Sequence, residues 1–253
     1  MGSDAVTFVG HSTVLIELGG FRILTDPLLR RRFLHARRVV PPPARGLLDD
    51  VDALLVSHLH MDHLHFPSIR GLDRKTPVVV STGGGRVLRR RGFRDITEVD
   101  PDEKISLGPI EVTVTDALHE GRRWPVGPHV EALGYLLHGP AHTVYFAGDT
   151  DLYDGMAALA GQVDVALLPI SGWGPKVGEG HLNGHSAAEA AAIIKPRYVV
   201  PIHFGTYLRM DLIDRHPELL SEQPETLVAD AARLAPDVDV RVLRPGETLD
   251  LPG

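Results

Sequence analysis

Ser57-His58-Leu59-His60-Met61-Asp62-His63 places four candidate metal ligands in one short segment, directly after the apolar run 53–56. That run reads as a buried strand. If its direction persists, His58 and His60 share a face, and a following turn swings Asp62 and His63 toward a neighbouring position, so one segment can serve two ions. Neutral imidazoles offer lone pairs to a divalent cation, and the Asp62 carboxylate offsets the cost of holding cations in a partly desolvated cleft. A solvated His-rich turn would explain the segment alone but not its company. Three further strand candidates are followed by the same kinds of side chain: His119 after 110–115, Asp149 after 143–146 and His203 after 198–201.

This repetition predicts one ion held by His58, His60 and His119, and another by Asp62, His63 and His203. Asp149 is expected to bridge them, because its two oxygens can contact different ions. Gly148 allows close approach in the Ala-Gly-Asp-Thr turn, and Thr150 is expected to orient Asp149 through its hydroxyl. Two divalent cations that lower the pKa of a bridging water make a hydroxide nucleophile, so neither Ser nor Cys is required for hydrolysis. Zinc suits these donors first, with manganese or iron also compatible.

Composition sets the frame. The 253 residues are 43% hydrophobic and 23% charged, with 26 Gly and 20 Pro, which suits a turn-rich globular fold and leads us to expect one domain over 1–253. The absence of cysteine rules out disulfides and thiolate ligands. A net charge of −7 opposes indiscriminate binding to nucleic acid or anionic lipid. Neither a signal-peptide pattern nor a long apolar stretch is visible, so the expectation is a cytoplasmic protein without stable membrane insertion, with homo-oligomers left open.

Short strands are expected at 6–9, 14–18, 21–24, 53–56, 78–80, 110–115, 132–137, 143–146, 165–168, 198–201 and 240–243, and helices at 83–90, 187–194 and 226–234. Residues 30–38 carry five arginines and precede Pro41-Pro42-Pro43; they read as an exposed loop forming one lip of the site. Gly83-Gly84-Gly85 lacks the Lys-Ser or Lys-Thr sequel of a nucleotide loop and reads as a sharp turn.

His58-Leu-His-Met-Asp-His63, His119 in Asp-Ala-Leu-His-Glu, Asp149 in Gly-Asp-Thr and His203 in Ile-His-Phe-Gly-Thr together resemble the metallo-beta-lactamase fold superfamily. The resemblance covers nearly the whole chain. It implies an α+β fold, a four-layer αββα sandwich with two central mixed sheets. Gly10-His11-Ser12-Thr13, the stretch 19–27 and Gly180-His181-Leu182-Asn183 resemble the branch containing L-ascorbate-6-phosphate lactonases and N-acylphosphatidylethanolamine-hydrolysing phospholipase D. Asn183-Gly184 departs from that branch, where Asp-Pro is frequent.

The expected catalytic residues are Asp62, Asp149 and His181, the last as a substrate contact or proton donor. Trp173 is expected to wall the substrate pocket, and His11 to orient the metal ligands. His185 reads as part of a helix start, with Ser186 as a cap. The arginines of 30–38 read mainly as charged surface. The leading expectation is hydrolysis of a small, anionic lactone or phosphodiester. A nucleic-acid or lipid phosphodiesterase is the first alternative, and a non-enzymatic metal-binding interaction module the second.

Overall fold

The computed structural model describes residues 4–44, 46–123, 127–171 and 177–252; Trp173 lies outside them. The chain opens with β1 (Ala5–Gly10), β2 (Thr13–Leu18) and β3 (Phe21–Thr25), paired antiparallel. β4 (Arg32–Phe33) and β5 (Ala36–Arg38) form a small hairpin before β6 (Ala53–Leu55), β7 (Val78–Ser81) and β8 (Ile96–Val99), which extend β3 in parallel. A second sheet is built from β9 (Lys104–Leu107), β10 (Ile110–Glu120), β11 (Glu131–His138) and β12 (Thr143–Phe146), antiparallel, then β13 (Val165–Pro169) and β14 (Tyr198–Ile202), parallel. β15 (Tyr207–Arg209) pairs with β5, β16 (Asp239–Val240) with β14, and β17 (Thr248–Asp250) with β1. The result is two mixed seven-stranded sheets and a small three-stranded one.

Alternation along the strands explains why the sheets stack. Ala53, Leu55, Val144 and Phe146 join the core between the two sheets, while their neighbours Leu54, Val56, Tyr145 and Ala147 face the outer layers. On one outer face Leu54, Val56 and Val80 pack with Leu88 of α1 (Gly85–Arg89). On the other, Tyr145 and Leu168 pack under the alanine-rich α2 (Gly184–Ile194) and Leu227 of α3 (Glu222–Leu234). Both sheets bury one face against each other and the other against helices, which is the four-layer αββα metallo-beta-lactamase fold.

Several expectations need correction. Residues 30–38 are not simply a loop, because Ala36–Arg38 finds its partner in Tyr207–Arg209, far along the chain, and Phe33 and Ala36 are buried. The strand expected over 240–243 is only Asp239–Val240, and the closing edge is Thr248–Asp250. α2 starts at Gly184 because Asn183, not Ser186, caps it: Asn183 Oδ1 accepts from His185 N and Ser186 N, and Ser186 Oγ accepts from Asn183 N. His185 turns outward to the Asp230 carboxylate at 2.6 Å. The Gly83-Gly85 turn already holds an internal anion, since Gly83 N and Gly85 N both donate to Glu98 Oε1.

Candidate metal centre

The polar side chains converge at the carboxyl ends of strands, where open sheets leave a crevice. Asp26 follows β3, His58 to His63 follow β6, Asp149 follows β12 and His203 follows β14. His119 lies inside β10, where the register with β11 shifts between Asp116 and Glu120. Such a bulge re-aims a side chain. His11 (φ 57°), Asp26 (φ 33°) and His203 (φ 61°) all take left-handed backbone conformations. Backbone strain of this kind, costing about 1–3 kcal/mol each, gathers at functional sites.

His58 Nε2 and His60 Nδ1 stand 2.9 Å apart, and His119 Nε2 is 3.2 Å from His60 Nδ1. A second group contains Asp62, His63 and His203 together with His11. Asp149 Oδ2 lies 3.0 Å from His63 Nε2, 3.3 Å from His203 Nε2 and 3.4 Å from His181 Nε2. Asp149 also falls within 4.8 Å of His119 in a group with His181, which puts it beside both sets.

Hydrogen bonding on the far side of each ring decides which nitrogen faces inward. His119 Nδ1–H donates to Gly180 O at 2.8 Å and His203 Nδ1–H to Ser171 O at 2.7 Å, since a carbonyl can only accept. His63 Nδ1–H donates to Asp26 Oδ2 at 2.7 Å. Ser57 Oγ–H also donates to Asp26 Oδ2, at 2.5 Å, so Ser57 Oγ accepts from His58 Nδ1–H at 2.9 Å. All four Nδ1 hydrogens are thereby committed outward, and the Nε2 atoms are left for a proton or a cation.

This geometry passes a test for divalent cations. With the Nδ1 hydrogens of His58 and His119 spoken for, a proton on His60 Nδ1 can bridge to only one of the two facing Nε2 atoms; the other contact is lone pair against lone pair. Nitrogens about 2.0–2.1 Å from a tetrahedral zinc stand roughly 3.3 Å apart, close to the spacing seen. Among the described residues Asp149 Oδ1 is buried without a hydrogen-bond partner, an arrangement that is costly unless something else satisfies it. The buried His/Asp cluster is consistent with a dinuclear catalytic site for divalent metals.

Charge divides the two sets. Burial, then the neighbouring His63, holds His58 well below the usual imidazole range, and burial pulls His119 down to about 4. Burial works against charge on Asp62 and Asp149 as well, but the imidazoles around them prevail and keep both carboxyls well below the ordinary range. For the same reason His203 is lifted to about 9 against its burial, chiefly by Asp149, and His63 is raised well above its ordinary value. In the metal-free protein, protons on His63 and His203 therefore offset the two carboxylates.

A pH dependence follows. The His203 proton stabilises the metal-free fold fully below about pH 6.5, the unfolded value, and that contribution is lost as pH rises through about 9. Cations must displace this proton and the one on His63, so apparent metal affinity should climb with pH through about 9. Competition with a chelator across that range measures it; a flat profile would contradict the charge assignment.

The remaining expected residues fall as follows. His181, 21% exposed, donates Nδ1–H to Glu179 O at 3.1 Å and turns Nε2 toward Asp149. His11 Nε2–H donates to Asp62 Oδ2 at 3.0 Å; burial first, then His203, pulls this imidazole down to about 3. Thr150 does not orient Asp149 through its hydroxyl: Thr150 Oγ1 accepts from Leu118 N at 2.9 Å and donates to Asp151 O, tying down the strand beside His119. Gly148 (φ +63°) lets the turn approach Ser57, whose Cβ would lie 2.7 Å from an added methyl. Asp26 and Ser57 carried no expected role. The signal for Asp26 was an acid ending an apolar strand before Pro27.

Above the cluster lies a cavity of about 770 Å³, floored by His60, Asp62, Asp149 and His181 and walled by Phe33, Leu34, Ala36, Met61 and Met210. The hairpin of β4 and β5 forms one lip, but no arginine of 30–38 is among the described residues that line the cavity. Arg38 is buried, donating to Val9 O and Pro41 O, and Arg30 donates to Pro67 O. Arg209, the one arginine lining the cavity among the described residues, is clamped to Asp211.

Comparison with known proteins agrees with this site. The family described as Beta-lactamase superfamily domain matches residues 21–204, which include every residue of the cluster except His11. A UPF0173 metal-dependent hydrolase from Caldivirga maquilingensis is 32% identical over 250 residues, covering 97% of this chain and 97% of that protein. N-acyl-phosphatidylethanolamine-hydrolyzing phospholipase D 1 from Caenorhabditis elegans is 29% identical over 227 residues, covering 79% of this chain and 64% of that protein. Igni18, a metallo hydrolase from Ignicoccus hospitalis, shares the fold with a TM-score of 0.72 over 100% of both chains at 22% identity. By fold, site and family match, the chain belongs to the beta-lactamase superfamily, with the metallo-beta-lactamase fold shared by diverse metal-dependent hydrolases.

Proposed function

We infer that the protein hydrolyses a small ester, lactone or phosphodiester: His58 Nε2, His60 Nδ1 and His119 Nε2 would hold one divalent cation, Asp62, His63 Nε2 and His203 Nε2 would hold a second, and Asp149 would be shared by both. The observation that carries this reading is the position of Asp149, beside members of both triads at the floor of an open cavity. A purely structural or scaffolding metal site would be closed over by protein ligands. Zinc is the ion the donors suit first, and manganese and iron also fit them.

Two bound cations would supply Lewis acidity, lowering the pKa of water and polarising the scissile group. The chain's own residues do the rest. Asp62 and Asp149 balance the positive charge, His11 holds Asp62 by its Nε2–H, and Ser57 and Asp26 fix the rings of His58 and His63. His181, on the cavity floor with its Nδ1–H committed to a carbonyl, is placed to pass a proton from Nε2 to a leaving-group oxygen.

The walls speak to the substrate. Leu34 is 64% exposed and Met210 48% exposed at the cavity rim, and Arg209 is already paired. These surroundings favour an apolar substituent next to the scissile group over an anionic one, which brings the lipid phosphodiester reading level with the lactone reading. The relative named as a phospholipase D supports the same direction. The test is a panel of lactones and phosphodiesters of graded aliphatic length, with a short RNA, run separately with Zn, Mn and Fe. Catalytic efficiency should rise with aliphatic length and vanish with a chelator. Preference for RNA under every metal would overturn the substrate reading, and no hydrolysis by fully loaded protein would overturn the hydrolase reading.

A further inference from the structure

A second cavity, of about 580 Å³, has no role in the reading above. Arg30, Arg70, Arg74 and Arg91 line it with Phe66 and Phe93, and no carboxylate is among its lining residues. Among the described residues none of these four arginines takes part in an ion pair, although the chain as a whole carries a net charge of −7. Four guanidinium groups around one concavity repel one another, and that repulsion is relieved by an anion.

Three of the four guanidiniums, those of Arg30, Arg74 and Arg91, are also held in place before any ligand arrives. Arg91 sits 4.1 Å over the Phe66 ring with Arg123 4.2 Å from the same ring, and Arg74 sits 4.7 Å over Phe93. Arg74 donates to the carbonyls of Ile69, Leu72 and Arg70, and Arg30 to that of Pro67. Neither Arg70 nor Arg91 donates a side-chain hydrogen bond among the described residues. A guanidinium stacked on a ring keeps its N–H edge for bidentate contact with an oxyanion, and pre-ordering lowers the entropy lost on binding. Beside the cavity, burial, then the nearby Arg91 charge, pulls Arg123 down to about 10.

We propose that this cavity binds a compact polyanion carrying two or more phosphate groups, at a site separate from the metal cluster. One phosphate brings at most two charges to four guanidiniums, so a clustered polyphosphate matches better. An extended nucleic acid would have to run on over an acidic molecule. The proposal stands independently of the hydrolase reading.

Isothermal titration of the full, metal-loaded chain with tripolyphosphate tests it, with orthophosphate and a short single-stranded RNA run alongside. Arg70 and Arg91 are exposed, so Arg70→Glu and Arg91→Glu should fold normally, and Arg70→Gln with Arg91→Gln gives a milder pair. Tripolyphosphate should bind at one site per chain, more tightly than orthophosphate. Its affinity should fall about 10-fold with each Glu variant and about 100-fold with both, as expected for charge-assisted hydrogen bonds. Metal content and hydrolytic turnover should stay at wild-type levels in every variant. Binding to the metal cluster would be the same in wild type and double variant, so an unchanged affinity overturns the proposal. So does the absence of binding to the wild type. RNA binding tighter than tripolyphosphate, with the same dependence on Arg70 and Arg91, would replace the compact ligand with a nucleic acid.

Discussion

Asp149→Ala is expected to lower catalytic efficiency on the preferred substrate by about a thousandfold or more and to strip metal from both ligand sets. Asp149 Oδ2 lies within 3.4 Å of His63, His203 and His181, and among the described residues Oδ1 is buried without a hydrogen-bond partner. Its loss removes the negative charge that both cations would share. It also removes the main group raising His203, so in the metal-free variant that imidazole should titrate well below its wild-type value of about 9. NMR titration of the ring, metal analysis and steady-state kinetics read the three consequences separately. A folded variant with wild-type metal content and turnover would contradict the bridging role.

Asp26→Ala should be the most damaging substitution away from the proposed ligands themselves. Asp26 is fully buried and accepts from Ser57 N at 2.8 Å, Ser57 Oγ at 2.5 Å and His63 Nδ1 at 2.7 Å. Removing one partner from a buried charged network costs about 3–5 kcal/mol. Because Ser57 Oγ is freed as well, the ring of His58 loses its fixed orientation along with that of His63, and metal affinity should fall about 10–100-fold at each set. Asp26→Asn keeps the shape and one acceptor, so it should recover part of the stability and little of the affinity. Thermal melts and chelator competition distinguish the two effects. Wild-type melting and metal affinity in Asp26→Ala would show that the outward hydrogen bonds do not organise the cluster.

Much of this site was legible before the fold was known, because its residues sit in local patterns. His58, His60, Asp62 and His63 are dense enough to need a reason, and His119, Asp149 and His203 each follow an apolar run. Most of the strands were legible for the same reason, as repeated short runs of apolar residues with turns between them, whereas their arrangement in two mixed sheets was implied only by the resemblance to a known superfamily. What escaped depends on partners remote in sequence. Asp26 acquires its role from His63, and the hairpin at Arg32–Phe33 and Ala36–Arg38 exists because β15 covers it. Thr150 illustrates the limit of local reasoning: its neighbour Asp149 suggested a contact, whereas the fold gives its hydroxyl to Leu118. The arginines of 30–38 read mainly as charged surface, but alternation along a strand sends Arg38 inward and the bend before the hairpin sends Arg30 to the second cavity.

The central claim is that two cations share Asp149, and metal counting on active protein tests it most directly. Fully loaded, catalytically active protein should contain two divalent ions per chain by elemental analysis, and anomalous scattering should place one among His58, His60 and His119 and the other among Asp62, His63 and His203. Full activity with a single ion per chain, or with both ions away from Asp149, would contradict the account.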